Sequence, residues 1–147
     1  MTPEQIEALM QRVKAQEQHI HKPYSETMGK PADFEVEYEL AIDPALGQII
    51  PSQAMRCDFA YASDRGKNNH VYMIYPELLD TDGNIILDKR IRAADKGKAT
   101  MWIILPESRP THCQRIKVGT QGHWVVGSKI LANVTVTKII GLFINTT

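Results

Sequence analysis

Seven side chains carry most of the chemistry this sequence offers: Arg65, Lys67 and His70 in one polar stretch, and Arg115, Lys117, His123 and Trp124 toward the C-terminal end. The stretch Asp64-Arg65-Gly66-Lys67-Asn68-Asn69-His70 places a glycine between two cations. Backbone N–H groups can converge there while Arg65 and Lys67 hold an anion. The plainer reading is a solvent-exposed connection. Near the end of the chain, Arg109, Arg115, Lys117, Lys129 and Lys138 surround the flat groups of His123 and Trp124. Cations around an aromatic can track a phosphate backbone and stack a base. The competing expectation is that Trp124 fills the mouth of a β-barrel while the lysines protect strand edges.

Other constellations are weaker. Asp80-x-Asp82-x-Asn84 imitates the start of a calcium loop, but Ile85 stands where glycine is needed and Ile91 where a bidentate glutamate is needed. Its Asp82-Gly83 step reads instead as a hairpin turn. His19 and His21 are two apart, His112 and Cys113 adjacent, and no Cys-x-x-Cys or His-x-x-x-His pair exists, so neither a metal site nor any other cofactor is expected. Cys113 or Cys57 could meet His70, His112 or His123 across neighbouring strands as a nucleophile pair, although no local motif supports it. Two cysteines are too few for a disulfide framework.

The 147 residues suit one domain with a terminal appendage. The polar start MTPEQIEALM has no basic segment before an apolar one, and no apolar run is long enough to span a bilayer, so a cytosolic protein without a membrane partner is expected. Two sequons, at Asn133 and Asn145, carry no weight in that setting. Zero net charge hides an asymmetry: residues 1–50 carry nine acidic and four basic side chains, residues 51–147 eight and thirteen. The balances of −5 and +5 cancel if the acidic N-terminal strand lies beside the basic part.

The elements that must position these groups follow from periodicity. Thr2-Pro3-Glu4-Gln5 combines a cap, a first-turn proline and a capping-box glutamine. Ile6, Leu9, Met10, Val13 and Ile20 recur at helical spacing until Lys22-Pro23 ends the element, which predicts an amphipathic helix over 1–22. Such a helix packs on its own barrel or pairs with a second copy as a homodimer. Residues 23–32 read as a linker. From 33 to 147 the reading is β-structure throughout. Phe34 to Ile42 alternates apolar and acidic positions, Asp43-Pro44 turns, and short strands are expected at Gln48 to Ile50 and Met55 to Tyr61. His70 to Leu79 and Asn84 to Asp88 flank the Asp-Gly turn, and Ala99 to Leu105 is apolar on both sides, as in a strand covered on both faces. A basic strand Arg115 to Val118, a turn at Gly119 to Gly122 and a long Val/Thr/Ile strand are expected to close the sheet.

The segments Phe59-Ala60-Tyr61, Gly97 to Leu105, Arg115 to Gly119, and Val125 to Lys129 running on to Lys138-Ile139-Ile140 resemble, in order and spacing, the C-terminal β-barrel domain of elongation factor Tu. Gly122, Gly127 and Thr137-Lys138-Ile139 fall where that pattern puts them, and the resemblance covers about residues 54–142. It implies a six-stranded antiparallel Greek-key barrel, a fold associated with translation. The chain lacks a Gly-x-x-x-x-Gly-Lys-Ser/Thr loop, which excludes GTP hydrolysis by the elongation factor's route. The resulting expectation is a small non-catalytic binding module for a protein or peptide partner. RNA binding through the basic closing hairpin is the first alternative and a cysteine-dependent enzyme the second.

Overall fold

The computed structural model describes residues 1–41 and 50–145, with the side chains of residues 15–17 outside that description. Ile42, the expected turn at Asp43-Pro44 and the start of the expected strand at Gln48 fall outside it. The order of elements is helix α1 (Pro3–Gln18), helix α2 (Tyr24–Met28), strands β1 (Phe34–Leu40), β2 (Asp58–Tyr61), β3 (Ile74–Leu79) and β4 (Lys96–Ile103), helix α3 (Arg109–Arg115), and strands β5 (Gln121–Val126) and β6 (Lys129–Ile139).

All six strands belong to one antiparallel sheet in the order β2-β5-β6-β1-β4-β3, so the protein is mainly β. The sheet curls as a half-barrel. The outer strand β2 is bridged to the segment just before the other outer strand, β3: Phe59 pairs with Tyr72, two residues short of Ile74, through reciprocal N–H to carbonyl bonds of 2.9 and 2.8 Å. β1 lies between β6 and β4, and its period-two pattern gives it one dry face: Phe34, Val36 and Tyr38 are buried while Glu37 and Glu39 are exposed. Its register sets Glu35 against Lys138, Glu37 against Lys98 and Glu39 against Lys96, which compensates the charge asymmetry across neighbouring strands.

The concave side is filled by aromatic and branched side chains. Trp124 on β5 lies over Tyr38 with ring centroids 4.9 Å apart, and Phe59 meets Phe34 and Tyr61 edge-on. Burial of each such ring stabilises the fold by about 1.5–3 kcal/mol relative to exposure. Backbone space there is limited: a Cβ at Gly122 would lie 2.5 Å from Phe59 Cζ, so only glycine fits between β2 and β5. The β5–β6 hairpin turns at Gly127-Ser128, where Gly127 has φ +60°, a conformation glycine adopts without steric cost.

β4 is covered on both faces. Met101 and Ile103 point into the concave core, whereas Trp102 points outward beneath the Tyr24 ring, 5.7 Å away and nearly perpendicular. That cover is held by buried polar groups. Glu77 on β3 accepts from the Tyr24 backbone N–H at 2.8 Å and pairs with His21 Nε2 at 2.6 Å. Gln53 closes the outer side of β3, its amide accepting from Leu78 N–H at 2.8 Å and donating to the carbonyls of Leu78 and Ile86. An edge strand with its backbone satisfied in this way offers less to an incoming strand.

Several expected elements are corrected. The leading helix stops at Gln18 rather than reaching residue 22; residues 19–21 run extended instead, with Ile20 bridged to Asp88 and His21 N–H bonded to Leu87 carbonyl at 2.7 Å. Residues 23–32 carry α2, ended by Gly29 at φ +66°. Residues 84–88 make only isolated bridges, because Asp80 draws the chain into a tight loop: its Oδ1 accepts from the N–H of both Asp82 and Asn84. The basic strand expected at Arg115 to Val118 does not form. Arg115 ends α3, a helix started by Pro110 in its first turn, whose Arg109, His112 and Ile116 turn inward at spacings of three and four.

Candidate functional site

α3 and the loop after β2 meet at one end of the sheet. Arg115 extends from α3 so that its guanidinium lies 3.7 Å from the centroid of the Tyr61 ring and grips Asp64 with two bonds, Nη1 to Oδ2 at 3.0 Å and Nη2 to Oδ1 at 2.9 Å. A third bond from Nη2 reaches Ser63 Oγ at 3.0 Å. A planar guanidinium suits both the carboxylate fork and the ring face, which a lysine could not match. The Arg115 guanidinium holds the Asp64 carboxyl below its ordinary range, so this carboxylate is ionised and occupied.

Behind Arg115, Tyr61 and His112 share a buried hydrogen bond of 2.5 Å between hydroxyl and Nδ1. Tyr72 meets the imidazole edge-on at 4.7 Å, and His112 Nε2 has no partner among the described residues. Burial, with Arg115 and Arg109 nearby, pushes the imidazole down to about 4 against a weaker opposing pull from Asp33, so it is neutral at neutral pH. Burial also pushes the Tyr61 phenol up. Burial thus favours the uncharged form of both groups near pH 7.

Arg65 and His70 border a cleft of about 260 Å³ on the far side of Asp64. Buried Ala60 and Val125 give it an apolar floor, with exposed Val71 beside them, and Asn69 and Ser128 add neutral polar groups. The loop is shaped by its own backbone: Lys67 and Asn68 N–H groups donate to the Asp64 carbonyl, His70 N–H donates to Asn68 Oδ1, Gly66 has φ +79° and Asn69 φ +53°. Arg65, Lys67 and His70 are exposed. With Asp64 already paired to Arg115, the exposed Arg65 guanidinium at the rim can meet a negative group.

The seven residues singled out in the sequence thus separate into three environments. Arg65, His70 and, through Asp64, Arg115 come together, with Lys67 on the same loop. Lys117 is exposed beside the Thr120 turn, its N–H donating to Thr120 Oγ1 at 3.1 Å. His123 lies on the convex face, its Nδ1 2.8 Å from Asn133 Oδ1. Trp124 is fully buried, with Nε1 unpartnered among the described residues, so it presents no stacking surface. Adjacent strand positions face opposite sides, which is why His123 and Trp124 cannot form one platform. The sequence reading missed Tyr61 and Asp64 as partners of Arg115 and His112 as the partner of Tyr61; the inward spacing of Arg109, His112 and Ile116 was the available signal.

Neither thiol is placed as an activated nucleophile. Burial, reinforced by Asp58, pushes Cys57 up to about 12, and the Cys113 thiol donates to the Leu142 carbonyl at 3.4 Å. Among the described residues no three histidine, cysteine or carboxylate side chains gather as a metal site, and no helix is long and apolar enough to cross a membrane.

Fold and site together define a mainly β protein with a six-stranded antiparallel half-barrel sheet and a cleft bordered by Arg65 and His70 at one end. No family model and no curated protein sequence matches the chain.

Proposed function

We propose that this protein is a small non-catalytic binding module, cytosolic, whose partner is a protein or peptide, built on a Greek-key barrel similar to the C-terminal domain of elongation factor Tu. The bridge between Phe59 and Tyr72 supports this reading, because it brings the segment leading into one outer strand, β3, against the other outer strand, β2, in an otherwise open order. The observation that carries the functional reading is the cleft beside Asp64. It joins an apolar floor to a rim where Arg65 and His70 are exposed and the neighbouring carboxylate is already paired to Arg115. An acidic side chain or a chain terminus fits the rim while its apolar neighbour fits the floor.

RNA is the second reading, favoured by the exposed cations Lys67 and Lys117. The burial of Trp124 speaks against it, since single-strand recognition depends on aromatic faces open to the bases. Chemical-shift titration separates the two. Acidic peptides are expected to shift Arg65, His70 and Val71 amides, and Arg65→Glu to weaken that binding about tenfold. Tight binding of single-stranded RNA with a steep salt dependence, with no peptide response, would replace this reading by the RNA one.

A further inference from the structure

We propose that α1 is a self-association face that pairs antiparallel with α1 of a second copy of this chain. Every described side chain of α1 is exposed, including Ile6 at 47%, Leu9 at 46%, Met10 at 56% and Val13 at 45%. These four lie at helical spacing and form one stripe. A 16-residue helix is marginal in water on its own. Its local support is a capping box, in which Gln5 N–H donates to Thr2 Oγ1 at 3.2 Å and Thr2 N–H to Gln5 Oε1 at 3.0 Å. No basic residue in the last turn offsets the helix dipole. Cover for the stripe must come from outside the sheet, which buries none of it.

The charges say what covers it. Glu7 and Lys14 are seven residues apart, two helical turns, so both stand on the same flank of the stripe. Each is exposed, and neither has an ion pair among the described residues. When two identical helices pair about a two-fold axis with chains reversed, each flank meets the same flank of the other copy read backwards. Glu7 then faces Lys14 of the second copy, and the contact occurs twice. The axis passes just beyond Met10, so Leu9 and Val13 of one helix interleave with those of the other. Parallel pairing opposes different flanks and loses both contacts. The helix is about 24 Å long and its apolar stripe from Ile6 to Val13 about 11 Å, which gives a dimer of the weak class.

Sedimentation equilibrium of the full chain tests this at low salt and protein concentrations up to about 200 µM, the range of a small interface. The apparent mass is expected to rise from 16.6 kDa toward twice that value. Met10→Lys sets two like charges beside the axis and is expected to keep the chain monomeric. Glu7→Lys and Lys14→Glu each weaken the dimer about tenfold, because each turns two attractions into repulsions. The double variant Glu7→Lys/Lys14→Glu returns it to within about twofold of the parent. Circular dichroism of the sheet should be unchanged in all four variants, since α1 contributes nothing to the core. A monomer across the whole range, a dimer that survives Met10→Lys, or a double variant no better than the singles would each overturn the proposal.

Discussion

Asp33 and Arg109 stand 76 positions apart in the chain, yet Arg109 Nη1 donates to Asp33 Oδ1 across 2.7 Å with the carboxylate wholly buried. Asp33 also accepts from Ile103 N–H at 2.8 Å and from Asn145 Nδ2 at 2.9 Å, while its own carbonyl accepts from the N–H groups of Ile140, Gly141 and Leu142. One residue therefore joins the start of β1, the end of β4, α3 and the turn after β6. A buried charge is tolerable only when its partners are all in place.

Removing either partner is expected to cost about 3–5 kcal/mol, because the remaining charge stays buried without compensation. Urea unfolding of Asp33→Ala and Arg109→Ala measures this. The paired replacement Asp33→Asn/Arg109→Met should lose less than the two singles summed. Single variants within about 1 kcal/mol of the parent would show that the pair does not clamp the fold.

Gln53 should matter more than its single side chain suggests. Gln53→Ala leaves Leu78 N–H without its acceptor on the outer side of β3 and is expected to cost about 1–3 kcal/mol. Gln53→Glu should be worse, since a carboxylate cannot donate to the carbonyls of Leu78 and Ile86. Amide exchange at Leu78 would report the loss directly; unchanged protection in both variants would contradict this account.

His112 predicts an acid-side loss of stability. Its folded-state value of about 4 lies below the ordinary 6.5, so between these limits the unfolded chain binds more protons than the folded one. The contribution is fully present above pH 6.5 and disappears as pH falls toward 4, a change on the order of 3 kcal/mol. Thermal unfolding across pH 4 to 7 should show this slope, and His112→Asn should flatten it. An unchanged slope in that variant would assign the effect to other groups.

The two thiols should differ in reactivity. At pH 8 Cys57, pushed up to about 12 by burial, is expected to resist iodoacetamide until the chain unfolds, whereas the partly exposed Cys113 reacts first. Mass spectrometry of peptides after timed alkylation separates them. Rapid native modification of Cys57 would contradict this order and favour the cysteine-enzyme reading.

Much of the sheet was legible because strands announce themselves locally. The alternation Phe34-Glu35-Val36-Glu37-Tyr38 prescribes a half-buried strand wherever it lies, and the unbroken Met101-Trp102-Ile103 prescribes one covered on both faces. The capping box at Thr2 and Gln5 is equally local. α3 was misread because Arg115-Ile116-Lys117-Val118 also alternates, and four residues do not distinguish a strand from the end of a seven-residue helix and the turn after it.

What the amino-acid order determined by itself was class and pattern: a mainly β chain, a capped leading helix with an apolar stripe, and a polar loop rich in cations. Those features rest on contacts within a few residues, where backbone geometry leaves few choices. Only the tertiary structure decided that Arg115 would cover Tyr61 and occupy Asp64, that Trp124 would be lost to the core, and that Asp33 would find Arg109. Such pairings depend on which strands become neighbours in the curled sheet, and a buried charge records its partner nowhere in its own local sequence.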